Sequence, residues 1–371
     1  MAQMHGTGYE GWLAAYRAGE PGTALDQRRP AALVSCGTLM MEFTLMRGET
    51  DILPLLHLAR QDGWPRFLSL STTAEGRIAL IQRQGNAFHA LSIDASDEIG
   101  AGGRMRLVWR WNGPERQSLL VLEALDQGTL RQQVGLDPLP MPREDLETLL
   151  TGTGGARIGP RVDWVALGDH LHPVGPGACF APSTPIETPT GPRPAGAIRT
   201  GDLVETADAG AQPVLWSGRV SLPTLGALRP VRLCAPAFGK TRDLWVLPHH
   251  RLALSGSLVE YLCGEEEVLA EARHLVDGCT ALQPDRPAAL NWHGILLTDH
   301  HLLIADGCLI ESLDPGGMAL RPALAANGVL ADLAAAGTLP CHAAPPRRVL
   351  HEYEARTLTA MRAQARGPVA A

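Results

Sequence analysis

Cys179-Phe180-Ala181-Pro182-Ser183-Thr184-Pro185-Ile186-Glu187-Thr188 is the stretch of this 371-residue chain whose reading decides the fold. It follows Val174-Gly175-Pro176-Gly177-Ala178, a segment without large side chains that reads as a domain boundary. Beyond a Pro/Gly/Ala stretch come Ile198-Arg199-Thr200-Gly201-Asp202-Leu203-Val204-Glu205-Thr206, a turn at Asp208-Ala209-Gly210, and Val214-Leu215-Trp216-Ser217-Gly218. Short apolar runs broken by Gly, Pro and Asp read as small strands and turns. The cysteine at the head of the region puts a thiol on the residue following the Ala178–Cys179 peptide bond. Thiolate is accessible near neutral pH, so cysteine suits attack on a neighbouring carbonyl.

Outward from this stretch, the chain is long enough for two domains with separate cores. Its 40 Gly and 29 Pro favour short strands over long helices. Lys plus Arg number 32 against 39 Asp plus Glu, and the net charge of −7 argues against nucleic acid as a partner. No run approaches ~18 apolar residues, so no membrane span is expected. The N-terminus lacks a basic start followed by an apolar core. Seven scattered cysteines suit reduced thiols, which fits a cytoplasmic protein or one exported without a cleaved leader. No cofactor motif is present. Cys341-His342 is a tempting metal pair, but two adjacent residues make a poor site, and no metal is expected.

The fold class expected is mainly β, in four segments. Residues 1–28 form an N-terminal tail in which Gly11 to Tyr16 makes at most a short helix. Residues 29–178 form a β-sandwich, with strands at Leu39 to Met46, Arg66 to Ser71, Arg77 to Gln82, Ala87 to Ile93, Met105 to Trp111 and Ser118 to Leu125. Met105, Leu107, Trp109 and Trp111 alternate with Arg and Val, the pattern of a sheet buried on one face. Glu144 to Leu150 reads as a helix and Val162 to Gly168 as a closing strand. The pattern looks like concanavalin-type jelly rolls, so a glycan or protein partner for this domain is kept open. Residues 179–314 are strand-rich. In 315–371, Ala319 to Ala336 is helical with a break at Asn327-Gly328, and Arg347 to Ala363 is an amphipathic helix.

The Cys179 block, with T-x-I-x-T at Thr184 to Thr188 and G-D-x-V-x-T at Gly201 to Thr206, resembles the Hint (hedgehog/intein) family, and more closely its bacterial intein-like branch. The resemblance implies an all-β horseshoe in which separate blocks converge on the opening cysteine, with first and last strands side by side. Val246-Leu247-Pro248-His249-His250-Arg251 is similar to the family's T-x-x-H block, which places His250 on its histidine and Leu247 where Thr or Ser is usual. His249 is read as a surface residue. Thr298-Asp299-His300, with Ala305-Asp306-Gly307 and Glu311-Ser312, is similar to a third block and offers Asp299 and His300 as groups that assist the thiol. His293 is a weaker candidate, one residue out of register. Leu350, Glu354, Ala355 and Leu358 match the branch's closing L-x-x-x-E-A-x-x-L.

The resemblance implies an N–S acyl shift. Cys179 attacks the Ala178 carbonyl, His250 protonates the departing amine, and the thioester is resolved without splicing, because no His-Asn closes the domain. Nothing specifies a sterol as the resolving nucleophile. The chain is then a self-cleaving, cysteine-dependent protein whose intramolecular substrate is its own N-terminal domain. The competing expectation is a Hint fold without the reaction, a structural or secretion-associated module marked by Leu247.

Overall fold

A computed structural model describes residues 11–20, 22–24, 32–49, 51–152, 154–285 and 289–366. The expected tail over 1–28 lies partly outside them. The chain divides into two compact units, one ending at His172 and the next beginning at Pro173. Among the described residues no helix is long and apolar enough to cross a membrane.

The first unit is a sandwich of a seven-stranded and a five-stranded antiparallel sheet. The larger sheet orders Thr129–Leu136, Gln117–Ala124, Gly103–Asn112, Cys36–Leu45, Val162–Gly168, Trp12–Arg17 and Thr23–Ala24. The smaller orders Ala156–Ile158, Pro54–Arg60, Arg66–Thr72, Arg77–Gln84 and Ala87–Asp94. Leu39, Met41, Phe43, Leu107 and Trp109 from one sheet pack against Leu56, Leu68, Leu70, Ile78 and Leu80 from the other. The helix Arg143–Thr151 adds Leu146, Leu149 and Leu150 to this core. Trp12–Arg17 is a strand, not a short helix; it pairs with the closing strand, Ala15 opposite Ala166, and sheet pairing overrides weak local preference. Met105, Leu107, Trp109 and Trp111 are buried as the alternation predicts, and the other face of Gly103–Asn112 is partly covered, with Arg104 exposed. Val108 is buried, and Arg106 bridges the carboxylates of Glu42 and Glu123 at 2.7 and 2.8 Å. A buried charge persists only when paired in this way.

The second unit is mainly β up to its helical end, with one short α-helix, Ser257–Cys263, among its described residues. Its six-stranded sheet orders Gly210–Pro213, Leu203–Thr206, Leu302–Ala305, Cys308–Glu311, Arg251–Ser255 and Glu267–Glu271. Trp216–Pro223 pairs with Ala289–Leu296, and Leu244–Val246, Val231–Leu233 and Ala281–Leu282 form a third sheet. The opening segment does not pair with the last strand. Phe180 bridges Val246 and His293, while Cys308–Glu311 pairs with Arg251–Ser255 and Leu302–Ala305.

Helices Pro322–Ala325 and Ala331–Ala335 flank the break at Asn327-Gly328. The last helix, Glu352–Arg366, starts later than its sequence suggests, because residues 348–350 lie extended against Leu269. There the Leu269 N–H donates to the Arg348 carbonyl and the Leu350 N–H to the Leu269 carbonyl, both at 2.8 Å. Leu350, Ala355 and Leu358 enter the core of the unit, whereas Tyr353 is exposed.

Candidate active site

The backbone around Cys179 is held on three sides. The N–H groups of Cys179 and Phe180 both donate to the His293 carbonyl at 2.9 Å, and the His293 N–H returns to the Phe180 carbonyl at 2.8 Å. The Leu247 N–H donates to the Cys179 carbonyl at 3.2 Å. The amide nitrogen of the Ala178–Cys179 bond is therefore fixed by the backbone of His293, whose side chain has no part in it. Gly294 lets the bond lie close: a Cβ there would stand 3.2 Å from the Ala178 Cα. Among the described residues none donates to the Ala178 carbonyl oxygen.

The Cys179 Sγ lies 3.4 Å from the Nε2 of His249 and 3.4 Å from the Gly177 carbonyl oxygen. Burial pushes the thiol up to about 12, with Glu311 adding to the shift and Arg251 opposing it. His249 is exposed, as its reading as a surface residue expects, and its ring also reaches the thiol. His250 turns the other way. It is buried, packs edge-on against Phe180 with ring centroids 4.8 Å apart, and its Nε2 has no hydrogen-bond partner. Burial, and then the charges of His249, Arg251 and His300, lower it to about 3. It is neutral at physiological pH rather than a half-charged imidazole.

Behind these residues lies a second group that the sequence named only as a motif. Glu311 is buried beside Arg251, with Arg251 Nη1 donating to its Oε1 at 3.0 Å, and burial raises it to about 7 against the opposing Arg251 charge. His300 Nε2 stands 3.4 Å from that same Oε1. Burial, with Asp314 opposing, lowers His300 to about 4. His300 therefore faces Glu311 rather than the thiol. Asp299 is exposed and makes no side-chain hydrogen bond or ion pair among the described residues, because the turn before Leu302–Ala305 points it to solvent. The paired carboxylate of Glu311, four residues after Gly307, was legible in sequence only as the E-S of the third block.

The family model of the Hint domain matches residues 178–317. No curated protein matches the chain. Among solved structures, the CBM40 of the Ruminococcus gnavus IT-sialidase is similar at 13% identity and a TM-score of 0.27, with 44% of this chain and 90% of that chain covered. The gp41-1 intein is similar at 15% identity and a TM-score of 0.25, covering 36% of this chain and 98% of its own. The MchDnaB-1 intein is similar at 17% identity and a TM-score of 0.25, with the same 36% and 98% covered. With the family match beginning one residue before Cys179 and the blocks in order along it, residues 178–317 are a Hint domain, an autoprocessing type of domain.

Proposed function

We propose that this protein cleaves its own backbone between Ala178 and Cys179 by an N–S acyl shift. The observation that carries the reading is the contact of Sγ with His249 Nε2 on a residue whose own amide nitrogen, that of the Ala178–Cys179 bond, donates to the His293 carbonyl. His249 takes the thiol proton, Sγ bonds to the Ala178 carbonyl carbon, and the C–N bond breaks with its electron pair on the Cys179 nitrogen. The proton then passes to that nitrogen, with His250, neutral and packed on Phe180, shaping its surroundings. Water or an outside nucleophile resolves the thioester and returns a proton to sulfur. His300 acts through Glu311 as a positioning residue, and Asp299 has no role in this scheme. Without a closing His-Asn, cleavage stops short of splicing.

Two features hold the reaction back. The thiol is pushed up to about 12, and among the described residues no donor meets the Ala178 carbonyl oxygen, where the oxyanion would form. These same features favour the second reading, a Hint fold without the reaction. Mass spectrometry of the full chain incubated with hydroxylamine separates the two. Cleavage after Ala178 that vanishes in Cys179→Ala supports processing; wild type that stays whole for days rejects it.

A further inference from the structure

His300 and Asp314 flank the last strand of the Hint domain, and His342 comes from the extension beyond it, at separations of 14 and 28 residues. One ligand atom from each lies within 4.8 Å of the other two. His342 Nδ1 stands 3.5 Å from Asp314 Oδ1, and His300 Nδ1 stands 3.9 Å from Asp314 Oδ2. The two imidazoles stack with centroids 5.3 Å apart and planes 12° from parallel. Both side chains are only 3% exposed, and neither Nδ1 has a hydrogen-bond partner.

The remaining ring nitrogens explain which atoms are presented. His342 Nε2 is 3.2 Å from the Thr298 carbonyl oxygen, whereas His300 Nε2 lies 3.4 Å from Glu311 Oε1 without a hydrogen bond. A neutral imidazole that gives its Nε2–H to an outer acceptor presents a lone pair on Nδ1. His342 thus presents a lone pair on Nδ1, and it converges with the unpartnered Nδ1 of His300 and one carboxylate, which the Gly316 N–H steadies on Oδ1 at 2.8 Å. Outer carbonyl and carboxylate partners of this kind orient the histidines of metal sites.

We propose that His300 Nδ1, His342 Nδ1 and a carboxylate oxygen of Asp314 bind a divalent transition-metal ion of the zinc class, with a fourth position left to water. Ligands 2.0–2.1 Å from a tetrahedral ion stand about 3.4 Å apart, so the 3.5 and 3.9 Å separations need only small side-chain movements. Mixed imidazole and carboxylate donors suit zinc, cobalt or nickel over calcium and magnesium, which prefer oxygen alone. Cys341 is not part of the set. The ion would tie the C-terminal extension to the Hint domain, beside the Glu311–Arg251 pair whose charges reach Cys179.

The test uses the metal-stripped full chain, titrated with Co²⁺ followed by its visible absorption and with Zn²⁺ by calorimetry. One equivalent should bind, with Zn²⁺ displacing Co²⁺ and bleaching the cobalt bands. His342→Gln and Asp314→Asn should each weaken binding about 100-fold or more, and Glu311→Gln by about 10- to 100-fold as an outer partner. Circular dichroism of each apo variant checks that it folds. Cys341→Ala and Cys179→Ala should bind as wild type does, so the readout is independent of self-cleavage. The proposal is overturned if wild type shows no saturable binding, if folded His342→Gln and Asp314→Asn bind unchanged, or if Cys341→Ala or Cys179→Ala abolishes binding. The first result would leave a plain His–Asp electrostatic contact at the site.

Discussion

At the scale of single residues, the site turns on two neighbours that face opposite ways. The sequence aligned His250 with the family histidine, and its pattern alone could not say which of two adjacent side chains meets the sulfur. Successive residues entering the strand Arg251–Ser255 point to opposite sides, so His250 goes under Phe180 while His249 reaches Sγ. The two roles separate by pH. With His249 as base, wild-type cleavage should depend weakly on pH between about 8 and 10. In His249→Gln only ionised thiol reacts, and with that thiol pushed up to about 12 the ionised fraction grows about tenfold per pH unit below it. The variant should thus be slower at neutral pH and climb steeply with alkali; equal profiles would remove His249 from the mechanism. Leu247, fully buried beside the opening segment, supplies only its backbone N–H to the Cys179 carbonyl. Restoring a hydroxyl with Leu247→Thr should accelerate cleavage by up to about 10²–10³, the worth of one transition-state hydrogen bond. Single-turnover rates from gel densitometry decide it.

At the scale of elements, alternation of apolar residues gave six of the sandwich strands within about three residues of their ends, and the Val162–Gly168 strand in full. What it missed were Pro54–Arg60, an interior strand of the smaller sheet, and Trp12–Arg17 and Thr129–Leu136 near the two ends of the larger, which have no clean period of their own and take their form from the strand beside them. Turns follow the same logic in the second unit. Asp277 accepts the N–H groups of Cys279, Thr280 and Ala281 and the Thr280 hydroxyl at 2.7–3.1 Å, closing the chain into the Ala281–Leu282 strand. Burial alone would raise its pKa, but these donors outweigh burial and lower it to about 2. A depressed carboxylate stabilises the fold above its unfolded pKa, and that stability is lost as pH falls through the folded value. Asp277→Asn should be less stable than wild type by about 2 kcal/mol at pH 7, with the gap closing as pH falls from 5 through 2. Urea melts at several pH values test this; a constant gap would mean that the charge is not what the turn uses.

At the scale of the whole chain, composition suggests a boundary at Val174–Ala178, and the compact units divide between His172 and Pro173. The convergence of blocks far apart in sequence was legible only through family resemblance, because spacing carries no information on which loops meet. That is why Glu311 and Arg251 surfaced as motif letters and not as a buried pair, and why His342 was weighed against its neighbour Cys341 instead of against Asp314.

The extended run at 348–350 bears on where the Hint domain can be cut. The family match stops at 317, yet the outermost strand of the six-stranded sheet, Glu267–Glu271, has residues 348–350 laid along its free side, and Leu350, Ala355 and Leu358 fill the core behind it. A chain ending at 317 would bare a row of unmatched backbone donors and acceptors next to an opened apolar socket, which is the template for edge-to-edge stacking. Light scattering should find the 1–317 chain self-associating at concentrations where the full chain stays monodisperse. Supplying residues 338–371 as a separate peptide should reverse it, so the extension serves the Hint domain as a built-in guard against aggregation.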